Sequence, residues 1–111
     1  MQPEVEKEFN SVLVETIDET ITTLLSRGVA DALYAHLQFT YSISKCEIPF
    51  RLDTLLSTLE KTFGFNSSRT ISKAIARRLY ARLGLAFSNN PDRTILEYVE
   101  EAKNKVDERG S

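Results

Sequence analysis

Apolar residues recur along this chain at three- and four-residue steps, in blocks separated by Gly, Pro, Ser and Asn. The longest block holds Val5, Phe9, Val12, Leu13, Ile17, Ile21, Leu24 and Leu25. That spacing predicts a first helix over residues 3–26, opened by Pro3 and the acids Glu4, Glu6 and Glu8 and stopped by Gly28. Its opposite face carries Glu15, Asp18 and Glu19. Thr16, Thr20, Thr22 and Thr23 lower its intrinsic propensity, so burial of the apolar stripe has to hold it.

The next block, Val29, Leu33, Leu37, Thr40 and Tyr41 with Ala32 beside them, predicts a short and mostly buried helix over 29–42. Ser44 with Glu47 three residues later is a capping-box pattern, and Ile48 before Pro49 implies a single short turn. Leu52, Leu55, Leu56, Leu59 and Phe63 form a third helix ending at Gly64. Asn66, Ser67 and Ser68 offer N-caps for a fourth over 68–83, with Ile71, Ala74, Ile75, Leu79 and Leu83 inward and Gly84 as the stop. From Leu85 to Pro91 the pattern is irregular. Leu85 and Phe87 are expected to tuck this loop onto the core, and Asn89, Asn90 and Pro91 mark a turn. Ile95, Val99, Ala102 and Val106 define a fifth helix, and Asp107 to Ser111 reads as a frayed polar tail. No strand pattern, internal repeat or low-complexity run interrupts the series. The chain therefore reads as all-α, one domain of about five helices over residues 1–111.

The composition fits this reading: 111 residues, 41% apolar and 27% charged, suit a single globular core. With Cys46 as the sole cysteine no intrachain disulfide can form. Neither a signal peptide nor an apolar run of membrane-spanning length is visible, which implies a cytoplasmic protein with no membrane partner. The net charge of −2 is uneven, because Arg69, Lys73, Arg77, Arg78 and Arg82 crowd the fourth helix with no acid among them while the remainder is acidic. Dedicated duplex-DNA binders are usually basic overall, and this chain is not.

Side chains able to do chemistry are few. His36 and Cys46 are single, whereas zinc needs several ligands at close spacing, so no metal is expected. Cys46 lacks a paired base and reads as a buried or half-exposed structural thiol. The glycines at 28, 64, 84 and 110 stand singly, three of them at expected helix ends, so there is no phosphate-binding loop. Glu100 and Glu101 point apart around their helix and form no acid/base pair. No catalytic residue, cofactor or small-molecule ligand is expected, and the chain does not read as an enzyme. Tyr34, Tyr41, Tyr80 and Tyr98 lie at the edges of the apolar stripes, as rings with buried bodies and wet hydroxyls do.

Three uses of the basic helix are open. Its charges can be solvated or paired internally, and cations near its end are favoured by the helix dipole alone. They can dock an acidic protein surface. Or residues 55–83 can be read as a helix-turn-helix, with Ser67, Ser68, Arg69, Ser72 and Lys73 presented to duplex DNA by the helix over 68–83.

Four segments together, Ala32 to Leu37, Ile43 to Pro49, Leu59 to Gly64, and Leu79 to Leu85 with Glu97 to Lys103, resemble a family of small all-helical archaeal signal-output domains of the nitrosopumilus type. The resemblance covers about three quarters of the chain, roughly residues 29–106. It departs from the family pattern at Ser42, where glycine is expected, and in the denser basic content of the fourth helix. It implies an archaeal, cytosolic regulatory or interaction module and brings no catalytic residues. The first helix precedes the family-like core and is expected to act as an interaction arm, pairing with a second copy or a neighbouring domain.

Overall fold

In the computed structural model, which describes residues 3–109, helices account for every regular element and no strand occurs among the described residues. α1 spans Pro3–Leu24, α2 Arg27–Tyr41, a 3-10 helix Lys45–Phe50, α3 Leu52–Phe63, α4 Phe65–Leu83 and α5 Ile95–Arg109. The fold is all-α with five longer helices, as the periodicity predicts.

α1 and α4 form the centre. On α1 the row Phe9, Leu13, Ile17 and Ile21, at four-residue steps, is at most 2% exposed, and it packs most extensively on α4, whose own buried row includes Ile71, Ile75 and Leu79. Burying such a side chain contributes about 1.5–3 kcal/mol. Four of them outweigh the threonine deficit, which is at most about 0.7 kcal/mol per residue. Thr16 and Thr20 are themselves buried and satisfy their hydroxyls by donating to the carbonyls of Val12 and Thr16, at 2.7 and 2.6 Å. The apolar stripe of α1 is thus buried inside this chain, as its threonine content required. Only its end, Leu24 and Leu25, is exposed.

α2 lies outside α1 and is less buried than its pattern suggested. Ala30, Leu33 and Leu37 enter the core, while Ala32 and Thr40 are exposed. The 3-10 helix bridges α1 and α3 and anchors itself with Ile48 and Pro49. α5 closes the far side against α3 and α4, burying Ile95, Tyr98, Val99 and Ala102. As expected, Leu85 and Phe87 fold the preceding loop onto the core.

Local chemistry sets the boundaries, with some shifts from the expected positions. α1 stops at Leu24 rather than at Gly28, because Ser26 caps α2, its Oγ accepting from the Val29 N–H at 3.0 Å, and Gly28 falls inside the new helix. At the end of α2, Ser42 itself adopts the left-handed conformation, φ 57°, that glycine most often takes at a helix end. The Ser44–Glu47 pattern forms: the Glu47 carboxylate accepts from the Ser44 N–H at 3.0 Å and its hydroxyl at 2.7 Å, which lowers the Glu47 pKa. α4 begins three residues early, directly after Gly64 at φ 87°, so Asn66, Ser67 and Ser68 lie in its first turn and none is its N-cap. Thr94 and Glu97 make a reciprocal capping box for α5. α5 continues through Arg109, whose guanidinium donates to the Leu83 carbonyl at 2.6 Å and ties residues 107–109 to the end of α4. The rest of the expected frayed tail, 110–111, lies outside the described residues.

Candidate functional site

α4 is both a central core helix and the basic one, so its buried row divides its charges into two sides. Arg78 and Arg82, one turn apart, face α1, where Glu15 and Glu19 are also one turn apart. Arg82 pairs with Glu19 and reaches Glu15 at 3.8 Å, and Arg78 lies 4.0 Å from Glu19. These two cations are counter-charges for an acidic face of the same chain. All four side chains keep contact with water, which limits each pair to about 0–1 kcal/mol.

Arg69, Lys73 and Arg77 line the other side, again at four-residue steps. None has an ion pair with a described residue. Arg69 donates to the Pro91 carbonyl at 2.5 Å and lies over the Phe65 ring at 5.5 Å; Arg77 lies over Phe87 at 5.5 Å. Carbonyls and rings steady a guanidinium without neutralising it. The five sequence-selected cations are therefore one stripe of three unneutralised charges and one of two paired charges.

The helix-turn-helix expectation meets a different geometry. Gly64 alone separates α3 from α4, where that motif uses a turn of three to four residues. Ser68 and Ser72, expected at the presented start, are buried, at 0% and 7% exposure. Ser67 and Arg69 are exposed and Lys73 is half-buried.

Beside the unneutralised stripe, α3, α4 and the segment entering α5 enclose a cleft of about 250 Å³. Arg69, Ser72 and Lys73 supply its α4 wall, Glu60 and Leu56 its α3 wall, and Asp92, Arg93 and Ile95 the third side. Arg93 is paired with Glu101.

Two polar nodes, neither visible in the sequence pattern, hold the helices that frame this side and the opposite one. Asp18, expected on the face opposite the apolar stripe, joins three elements: Arg27 of α2 grips it through two bonds at 2.6 and 3.1 Å, the Tyr34 hydroxyl donates at 2.7 Å, and Lys45 lies at 3.1 Å. The Arg27 hydrogen bonds lead in holding its carboxyl well below the usual range, and burial with the bond to Asp18 pushes the Tyr34 phenol up. The second node corrects the expectation of wet tyrosines. Tyr80 and Tyr98 are each 1% exposed and stand edge to face, with Phe87 stacked on Tyr98 at 5.1 Å. Their hydroxyls are satisfied inside: Tyr80 donates to Glu101 at 2.8 Å, and Tyr98 receives the Asn90 N–H at 2.8 Å and lies 3.0 Å from the Ser88 carbonyl. The Tyr80 bond lowers the Glu101 carboxyl, and burial raises the Tyr80 phenol. This node fixes the loop that supplies Pro91 and Asp92 to the cleft.

His36 sits 3.4 Å from the Thr40 hydroxyl and edge-on to Tyr41. Cys46 is exposed, contrary to the buried or half-exposed thiol expected, and lies 3.3 Å from the Ser44 hydroxyl. Among the described residues no group of three or more His, Cys, Asp or Glu gathers to hold a metal ion, and no helix is long and apolar enough to cross a membrane. Comparison with protein-family models, curated proteins and solved structures returned no match.

Proposed function

We propose that this chain is a non-catalytic interaction module, of the archaeal signal-output kind its sequence resembles, which docks an acidic protein surface through Arg69, Lys73 and Arg77. One observation carries the reading: α4 spends Arg78 and Arg82 on the acids of α1 but holds three further cations in a row that form no ion pair with a described residue. An acidic partner supplies that missing charge, and Arg69 and Arg77 are already steadied by Phe65 and Phe87, so little side-chain freedom is lost on docking. Arg78 and Arg82, part of the same expectation, serve the fold in this reading. With the stripe of α1 buried, self-association through that helix drops out of the proposal.

Fluorescence anisotropy with a labelled oligo-glutamate peptide and with mixed-sequence duplex DNA, at low and at physiological salt, tests it. The peptide should bind, and Lys73→Glu with Arg77→Glu should weaken that binding at least about tenfold while circular dichroism stays unchanged. No peptide binding at low salt, or binding indifferent to the double variant, removes the docking face. Low-micromolar DNA binding that falls steeply with salt transfers the stripe to a nucleic-acid regulator.

A further inference from the structure

α2 packs one side on α1 and is exposed along the other. Gly28, Ala32, Ala35 and Phe39, all exposed, follow one another at steps of four, three and four residues, which sets them in a single row along that outer side. The solvent face of a surface helix is ordinarily polar. This row is apolar throughout, and Phe39, at 90% exposure, is the most exposed large apolar side chain among the described residues. From Ala32 to Ser44 the sequence has no Asp, Glu, Lys or Arg, in a chain that is 27% charged. The cores of protein interfaces are depleted of charge in the same way. Arg27 and Asp31, the charges nearest the row, pair with each other at 3.3 Å.

We propose that this row is the seam of a homodimer, in which α2 packs antiparallel on α2 of a second copy across a two-fold axis. Two properties of the row select that occupant. The first is charge. A two-fold interface lays a surface on itself, so like charges near the axis are brought together. The exposed sides of α1, α3, α4 and α5 carry Glu8, Glu60, Arg77 and Glu100, whereas the α2 row sets no charge against its own copy. The second is size. In the antiparallel register that places Phe39 opposite Gly28, Ala32 falls opposite Ala35, because the spacings at the two ends of the row are equal. Each Phe39 ring then lies over the other copy's glycine, beside the exposed Leu24 and Leu25 that precede α2, and the alanines between them let the helix axes approach to about 8 Å. A parallel pair sets ring against ring at one end and leaves a gap between glycines at the other. Area bounds the strength. The 15 residues of α2 offer a strip about 22 Å long, to which Phe39 adds about 150–200 Å² per copy. The total falls below the roughly 1,200 Å² at which standard interfaces begin, so the dimer is weak and reversible. The seam is independent of the docking reading, since Arg69, Lys73 and Arg77 lie on α4.

Sedimentation equilibrium of the whole chain from about 10 μM to about 1 mM is the test, and the parent should pass from monomer to dimer with a Kd of about 50–500 μM. Phe39→Glu, at an exposed position, should leave circular dichroism unchanged and weaken the dimer at least about tenfold. Gly28→Leu should weaken it as much by filling the space the ring needs; a Cβ there meets nothing of its own chain closer than the Ser26 Oγ at 3.8 Å, so the fold tolerates it. Lys73→Glu with Arg77→Glu should leave dimerisation unchanged. In a mixture of isotope-labelled and unlabelled chains, NMR contacts from the Phe39 ring of one copy to Gly28 of the other establish the antiparallel register. A parent that stays monomeric at about 1 mM overturns the proposal and leaves the row to a different protein or a lipid surface. A dimer that Phe39→Glu leaves intact overturns it by placing the contact on another face, and cross-copy contacts of Phe39 with Phe39 overturn the antiparallel seam.

Discussion

Arg78 and Arg82 on one side of α4, and Arg69, Lys73 and Arg77 on the other, are the same kinds of residue at the same four-residue spacing on one helix, yet they end in opposite circumstances. The first pair meets Glu15 and Glu19 across the α1–α4 contact. The second row meets a carbonyl, two rings and a cleft. The difference lies in what each side faces. A cation paired with an acid of its own chain is part of the fold's electrostatics, and one that forms no ion pair keeps its field for a partner.

The apolar row between the two sides should be the most sensitive point, because both depend on it. Leu79 is 0% exposed, and Leu79→Ala should lower unfolding free energy by about 2–5 kcal/mol in urea titration. A loss under about 1 kcal/mol, as at an exposed position, would mean that α4 is not the shared wall.

Asp18, on the same helix as Glu15 and Glu19 but half-buried, extends the comparison to a stronger pairing. Asp18→Asn should cost about 1–2 kcal/mol at neutral pH. The pH dependence has a definite sign. The folded-state pKa lies below the unfolded one, so the ionised carboxylate contributes its stability above about pH 4, and that contribution fades as pH falls below this toward the folded value. The gap between parent and variant should therefore shrink between about pH 4 and pH 2 in urea melts. A gap that stays constant over that window argues against the Arg27–Asp18–Lys45 arrangement.

Arg82→Glu places a third carboxylate beside Glu15 and Glu19. A loss of about 1 kcal/mol at low salt, reduced by 1 M NaCl, is expected. Lys73→Glu with Arg77→Glu should change stability by less than about 0.5 kcal/mol and act on binding alone. If thermal melts show the two variants equally destabilised, the two sides are not different in kind.

Much of the fold was legible because helical burial writes a period into the chain. Phe9, Leu13, Ile17 and Ile21 declare α1, and Leu52, Leu55 and Leu59 declare α3. Gly64 and Gly84 mark real helix ends with positive φ. Boundaries that depend on side-chain competition were harder: Ser26 outbids Gly28 as the junction of α1 and α2, and nothing in the spacing ranks one above the other. The Thr94–Glu97 box was readable from its spacing and was missed. The aromatic node was not readable in the same way, since Tyr80 and Tyr98 become interior residues only when Glu101, Ser88 and Asn90 arrive to satisfy their hydroxyls.

The candidate site divides along the same line. Sequence was enough to single out Arg69, Lys73, Arg77, Arg78 and Arg82, because charge sign and spacing are local properties of a helix. It was also enough to determine an all-α chain of about five helices, because amphipathic periodicity is local too. Which of those cations are neutralised, that Ser72 is buried beside Lys73 without a partner, and that Glu60 and Asp92 face the same cleft were decided only by tertiary packing. An ion pair or a cleft depends on distances of a few ångströms between residues far apart in the chain, and no one-dimensional pattern encodes those distances.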